Sequence, residues 1–151
     1  MYTFKPMNKE DANKIVNWHY EGDYSFYDME SDPEDLEEFL KPENWKDRYF
    51  SVYREQELVG FFSFNKQDDT IAIGLGMRPD LTGKGLGNEY LKEGLEFAKR
   101  TFNVKKFSLA VATFNKRAIK AYKKIGFKSL NTFSQETNGG EYEFLNMEKK
   151  I

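Results

Sequence analysis

Three glycines at alternate positions, Gly83, Gly85 and Gly87, with Lys84 between the first two, carry the most pointed chemistry in the sequence. Glycine reaches positive φ without a steric penalty and lets the backbone close on a ligand. Where such a loop opens a helix, the unpaired N–H groups of the first turn and the positive end of the helix dipole converge on one point. That arrangement favours an anion, a phosphate above all. Arg78 and Lys84 would add positive charge beside it. The plainer alternative is a tight turn between two elements, but one glycine suffices for that.

The flanking residues supply the elements such a cradle needs. Ile71, Ile73 and Leu75 alternate with small residues at a strand period, whereas Leu86, Tyr90, Leu91, Leu95, Phe97 and Ala98 recur near a helical one. The expectation is a strand over 70–77, a glycine loop, and a helix ending near Phe102. The loop is not a Walker A sequence, because it lacks the upstream glycine and has no Ser or Thr after the lysine. It is not a dinucleotide fingerprint either, since G-x-G-x-G has the wrong spacing and no acidic residue ends a second strand at the expected distance.

Strand, T-G-K-G-L-G loop and amphipathic helix together resemble the acetyl-CoA-binding motif of the GNAT family of N-acetyltransferases. That motif is a Gln or Arg, two free positions, Gly, one free position, and Gly or Ala. Gly85 and Gly87 fall at its two small positions, and Thr82 stands where Gln or Arg is usual. A second segment, N-K-R-A-I-K-A-Y-K-K-I-G-F, is similar to the family's other characteristic stretch, with Asn115, Ala118, Tyr122, Lys124, Gly126 and Phe127 in register. Two matches in order, separated by a helix and a strand, cover most of the chain with their flanks.

The resemblance implies a GNAT fold over residues 1–151 as one acetyl-CoA-binding domain of the α/β (α+β) class. Its single mixed, mostly antiparallel sheet would have a splayed central strand pair and helices on both faces. The implied activity is transfer of an acetyl group from acetyl-CoA to a primary amine by direct attack. The acceptor would be a small molecule or a protein N-terminus. The pantetheine arm would bond to the strand backbone at Leu75, Gly76 and Met77. Thr82, Gly83, Lys84, Gly85, Leu86 and Gly87 would hold the pyrophosphate, largely through backbone N–H groups, and Asn115 and Arg117 would contact the cofactor from the second segment. Tyr122 matches the tyrosine that protonates the CoA thiolate; a phenol, with an ordinary pKa of about 10, carries a proton to give at neutral pH. Asn115 also reads as an N-cap, and Arg117 as part of a solvated basic face. For the general base, Glu141, Glu143, Asp28, His19 and ordered water all stay open. A non-catalytic acyl-CoA-binding or sensing module on the same fold is the competing function.

Composition narrows the field independently. The 151 residues hold 23 Lys and Arg against 25 Asp and Glu, a formal charge of -2, so no global basic field draws in nucleic acid. Cysteine is absent, which excludes disulfides, thiolate metal sites and a cysteine acyl-enzyme; no metal is expected. With no signal peptide and no long apolar run, a cytoplasmic protein off the membrane is expected, monomeric or homodimeric.

Along the chain, an edge strand near Thr3 leads to a helix capped by Asn8, with Ala12, Ile15 and Val16 on one face. The aromatic and acidic stretch that follows has no clean period and reads as a loop. By resemblance it walls the acceptor cleft, with Trp18, Tyr20, Tyr24 and Tyr27 shaping it and Asp23 or Asp28 attracting a cation. A satellite hydrophobic cluster is the alternative. Asp32 and Pro33 open a second helix whose acids form either a solvated face or a rim for a cationic substrate. An antiparallel meander over 48–54, 58–65 and 70–77 follows, unlike a Rossmann βαβ start. Later come a strand over 106–111, a helix over 115–125 closed by Gly126, and two strands joined through Gly139 and Gly140.

Overall fold

The computed structural model describes residues 1–151, Glu30 by its backbone alone. The chain divides into two compact units, Met1–Ser63 with Leu75–Lys84, and Phe64–Gly74 with Gly85–Ile151. Seven strands bond in the order β1-β2-β3-β4-β5-β7-β6. They are β1 (Thr3–Pro6), β2 (Tyr49–Arg54), β3 (Glu57–Gln67), β4 (Thr70–Met77), β5 (Lys106–Ala112), β6 (Lys128–Thr137) and β7 (Gly140–Lys150). The four α-helices are α1 (Lys9–Val16), α2 (Pro33–Phe39), α3 (Gly87–Thr101) and α4 (Lys116–Ile125). Among the described residues, no helix is long and apolar enough to cross a membrane.

In the first unit, α1 starts where the Asn8 side chain accepts from the Asp11 N–H at 2.8 Å. Asp11 itself is only 2% exposed. A buried carboxylate needs partners, and this one has them in the Tyr53 hydroxyl and the Asn8 amide. Met7, Ala12, Ile15, Phe39 and Leu58 make the core here, with Trp18, Tyr49, Tyr53 and Phe61 packed against it. The expected acid-start of α2 is present, Asp32 accepting from the Glu34 and Asp35 N–H groups with Pro33 at the first helical position. The stretch expected as a loop contains a 3-10 helix at Gly22–Tyr27. β2 turns into β3 through Glu55 and Gln56, both at positive φ (51° and 70°), the geometry that fits the twist of a tight hairpin.

In the second unit, α3 buries Tyr90, Leu91, Gly94, Leu95 and Ala98, one face of a 3.6-residue period. Phe64 packs beside Phe97 and Phe102 with ring centroids 6.0 and 5.5 Å apart. β5 pairs along its whole length with β7, from Lys106↔Lys150 to Ala112↔Phe144. Its parallel register with β4 runs from Thr70↔Lys106 to Ala72↔Ser108. The β6–β7 turn is Asn138-Gly139, at φ 52° and 77°, one residue earlier than the Gly139-Gly140 expected. Asn-Gly is the pair that supplies two left-handed residues at least cost.

Candidate active site

The end of β4 is set by its neighbours in the first unit. A Cβ at Gly76 would run into the ring of Phe61, so glycine there lets an aromatic ring of β3 lie on the strand. Phe61 in turn packs on Phe39, with ring centroids 5.9 Å apart. One residue on, the Tyr20 hydroxyl donates to the Met77 carbonyl at 2.8 Å, and the Arg78 N–H donates to Val59 O at 2.8 Å. Arg78 is not a free cation beside the loop. Its guanidinium donates to both Asp80 oxygens, at 2.6 and 3.1 Å, and to Leu58 O, with Glu57 3.9 Å away. The bond to Asp80 holds that carboxyl below the usual range. Thr82 has local work as well, its hydroxyl donating to Pro79 O at 2.8 Å to close the turn after β4. Gly83 follows at φ 72°, with Lys84 exposed beside it.

The second unit resumes at Gly85, φ 78°, which only glycine adopts cheaply. Leu86 is the N-cap residue of α3 and offers no side-chain cap, so the N–H groups of the first turn are left for another partner. Gly87 has ordinary φ, and a Cβ there would meet nothing within 4 Å. The next residue supplies an unmet group: Asn88 Oδ1 is buried without a hydrogen-bond partner among the described residues. Open glycines, uncapped N–H groups and an orphaned amide oxygen together suit a phosphate-bearing ligand with its own N–H donors. Asn115 is 9% exposed and caps α4, accepting from the Ala118 N–H at 3.2 Å. Arg117 lies exposed in the first turn of α4. Tyr122, half-buried in the same helix, sets its ring edge-on to Phe127 at 5.9 Å. Its carbonyl accepts from the Gly126 and Phe127 N–H groups, which closes α4 with Gly126 at φ 116°.

The side chains of the aromatic stretch differ in burial. Trp18 packs partly buried against the core of the first unit, the satellite-cluster role. Tyr24 is half-buried, and Tyr27 is exposed with its ring edge-on to Phe26. Asp28 is not an idle anion: one carboxylate oxygen accepts from the Tyr20 N–H at 2.8 Å and the other lies 3.3 Å from His19 Nδ1. Burial first, then the Asp28 charge, raises the pKa of the Tyr20 phenol, which keeps its proton. The acids of α2 are mostly exposed; Glu34, Glu37 and Glu38 share an open cavity of about 500 Å³ with Lys41, Glu43 and Asn44. The tie from Tyr20 to Met77, 57 positions apart, has no signal in local sequence, and neither does the Phe61 ring that requires Gly76.

A mixed seven-stranded sheet whose fourth strand leads through a glycine loop into a helix without a side-chain cap defines the class, a mixed α/β fold. Residues 12–127 match the model of the Acetyltransferase (GNAT) family, and the chain belongs to that family. It is 26% identical over 130 residues to acetyltransferase PseH of Campylobacter jejuni subsp. jejuni serotype O:23/36 (strain 81-176), covering 82% of this chain and 81% of that protein. Its fold is similar to that of the spermidine N-acetyltransferase of Vibrio cholerae solved in complex with CoA and spermine. There the TM-score is 0.77 at 21% identity, over 99% of this chain and 95% of that one. A GNAT-family acetyltransferase from Bacillus anthracis is similar too, with a TM-score of 0.76 at 17% identity, over 99% and 94% of the chains.

Proposed function

We propose that residues 1–151 act as one acetyl-CoA-dependent N-acyltransferase domain with a primary amine as acceptor. The observation that carries this reading is the loop entering α3. Two glycines at positive φ precede a first turn whose N–H groups have no side-chain cap, and at Gly87 there is room for a ligand to touch the backbone.

Acetyl-CoA would supply an activated acyl group and a thiolate leaving group. Leu75, Gly76 and Met77 would orient the pantetheine arm through backbone groups, as an added strand is held. Thr82, Gly83, Lys84, Gly85, Leu86 and Gly87 would bind the pyrophosphate, with Asn115 and Arg117 contributing from α4. A backbone N–H near Met77 would polarise the thioester carbonyl. The neutral amine attacks the carbonyl carbon, the C–S bond breaks, Tyr122 gives its proton to the departing sulfur, and the surplus proton of the nitrogen leaves to solvent. The acceptor is a small amine or a protein N-terminus; the known spermidine enzyme of this fold supports the first.

Calorimetric titration with acetyl-CoA tests this reading. Wild type is expected to bind, and Gly87→Leu to bind at least tenfold more weakly with an unchanged melting temperature, because the position is open and its φ is ordinary. A folded wild type that does not bind would end the transferase reading. Binding without thiol release on any of a panel of amines would point instead to the sensing module.

A further inference from the structure

Strand β6 is the last in the sheet order, paired with β7. The direction of its other backbone groups follows from a bond two strands away. The Thr113 N–H donates to Glu143 O at 3.0 Å, so the backbone groups of Glu143 in β7 are turned towards β5. Glu143 lies opposite Ser134 of β6. Antiparallel residues alternate between pairs that exchange hydrogen bonds and pairs that do not, and with Glu143 bonded to β5 its pair with Ser134 is of the second kind. The N–H and C=O of Ser134 therefore aim out of the sheet, and by alternation so do those of Thr132 and Glu136. The hairpin turn agrees, because two residues, Asn138-Gly139, make Thr137↔Gly140 a bonded pair.

The register with β7 is regular from Thr132 to Thr137 and slips between Ser129 and Thr132. A slip of that kind spoils an edge for pairing, so the pairable length runs from the bulge to the turn, with Ser134 as its middle outward residue. A second copy laid antiparallel about a two-fold axis through Ser134 puts Thr132 opposite the partner's Glu136, and Ser134 opposite the partner's Ser134. Outward residues then meet outward residues, and each such pair exchanges two N–H···O bonds. An axis at Thr132 would run the pairing into the bulge, and one at Glu136 into the turn. Glu136, the only charged residue of the regular stretch, meets a threonine and not its own copy. On the opposite face Phe133 stacks on Phe144, ring centroids 5.6 Å apart and 22° between planes. About this axis the Phe133 rings of the two copies are diagonal neighbours, a separation aromatic side chains can reach, so two stacked pairs become one band across the junction.

We infer that β6 joins two copies of this chain, antiparallel and two-fold symmetric about Ser134, into one continuous sheet. The contact lies within the second unit and does not depend on the transferase reading. A strand edge buries little area, which places the dimer in the weak class; its population follows concentration.

The chain has no cysteine, so a single introduced thiol tests the axis cleanly. Ser134→Cys faces its own copy, with Cα atoms about 5.5 Å apart in a bonded pair, inside the range a disulfide spans. Thr132→Cys faces Glu136, and its counterpart lies about 13 Å along the strand, beyond reach. Mild oxidation is expected to link Ser134→Cys into a covalent dimer on a non-reducing gel and to leave Thr132→Cys unlinked. Sedimentation velocity over about a hundredfold range of concentration should carry wild type from monomer to dimer. Ser134→Pro loses an outward N–H but no bond to β7, and is expected to raise the dimer Kd at least about tenfold with the melting temperature unchanged. If that variant fails to fold, the cysteine pair decides by itself. A wild type that stays monomeric throughout overturns the inference, as does a dimer that a folded Ser134→Pro leaves intact. Equal linking of the two cysteine variants overturns it too.

Discussion

The ring and the hydroxyl of Tyr122 can be separated by one substitution. The ring packs edge-on to Phe127, and Tyr122→Phe keeps that contact while removing the only acidic proton of the side chain. If the hydroxyl protonates the leaving sulfur, turnover should fall about a hundredfold, while the Kd for acetyl-CoA changes by less than about threefold. Stopped-flow thiol release beside calorimetry measures both, and equal losses would mean that Tyr122 helps to bind and does not act as the acid. The place of Tyr122 on a helix capped by Asn115 and closed by Gly126 was legible in the sequence, because that motif is local. Tyr20 was legible only as one aromatic among several. What singles it out is a bond to the Met77 carbonyl of β4, and no periodicity encodes that.

A helix end shows how much a single backbone angle can carry. Gly126 closes α4 at φ 116°, its N–H bonding back to Lys123 and Tyr122 carbonyls. An L-residue there strains the backbone, and a Cβ would come 3.2 Å from Lys149 Nζ, the flexible tip of a long side chain that can move aside. The strain alone predicts that Gly126→Ala lowers stability by about 1 kcal/mol. Urea unfolding should show a lower midpoint with an unchanged slope, and an unchanged midpoint would refute the left-handed cap. Elements with strong caps, such as the starts of α1 and α2, were readable to within a residue from Asn8, Asp32 and Pro33. The 3-10 helix at Gly22–Tyr27 was not, because three residues per turn over six residues leaves no repeat to detect. The Asn138-Gly139 turn was displaced by one because two adjacent glycines competed for it.

Across the molecule, the sequence alone supports a meander into a glycine loop, but the insertion of β7 between β5 and β6 is a non-local pairing that periodicity does not report; there the family resemblance carried the fold. Charge is distributed non-locally as well, and this has a consequence at high pH. Burial pushes the phenols of Tyr20 and Tyr49 upward. Tyr53 is pushed up to about 12 by burial first, then by its hydrogen bond to the Asp11 carboxylate and the charges of Asp11 and Glu10. The unfolded chain loses a tyrosine proton near pH 10, while the folded chain keeps the Tyr53 proton to about 12. Between these values the unfolded state binds fewer protons than the folded one, so stability falls as pH rises. The contribution of Tyr53 is therefore complete below pH 10 and is lost on approach to 12. Urea unfolding of wild type and Tyr53→Phe at pH 8, 9.5 and 11 isolates it, since the lysines titrate in both proteins alike. The wild-type free energy should decline more steeply above pH 10 than that of the variant. Parallel declines would show that the folded Tyr53 phenol loses its proton together with the unfolded chain's.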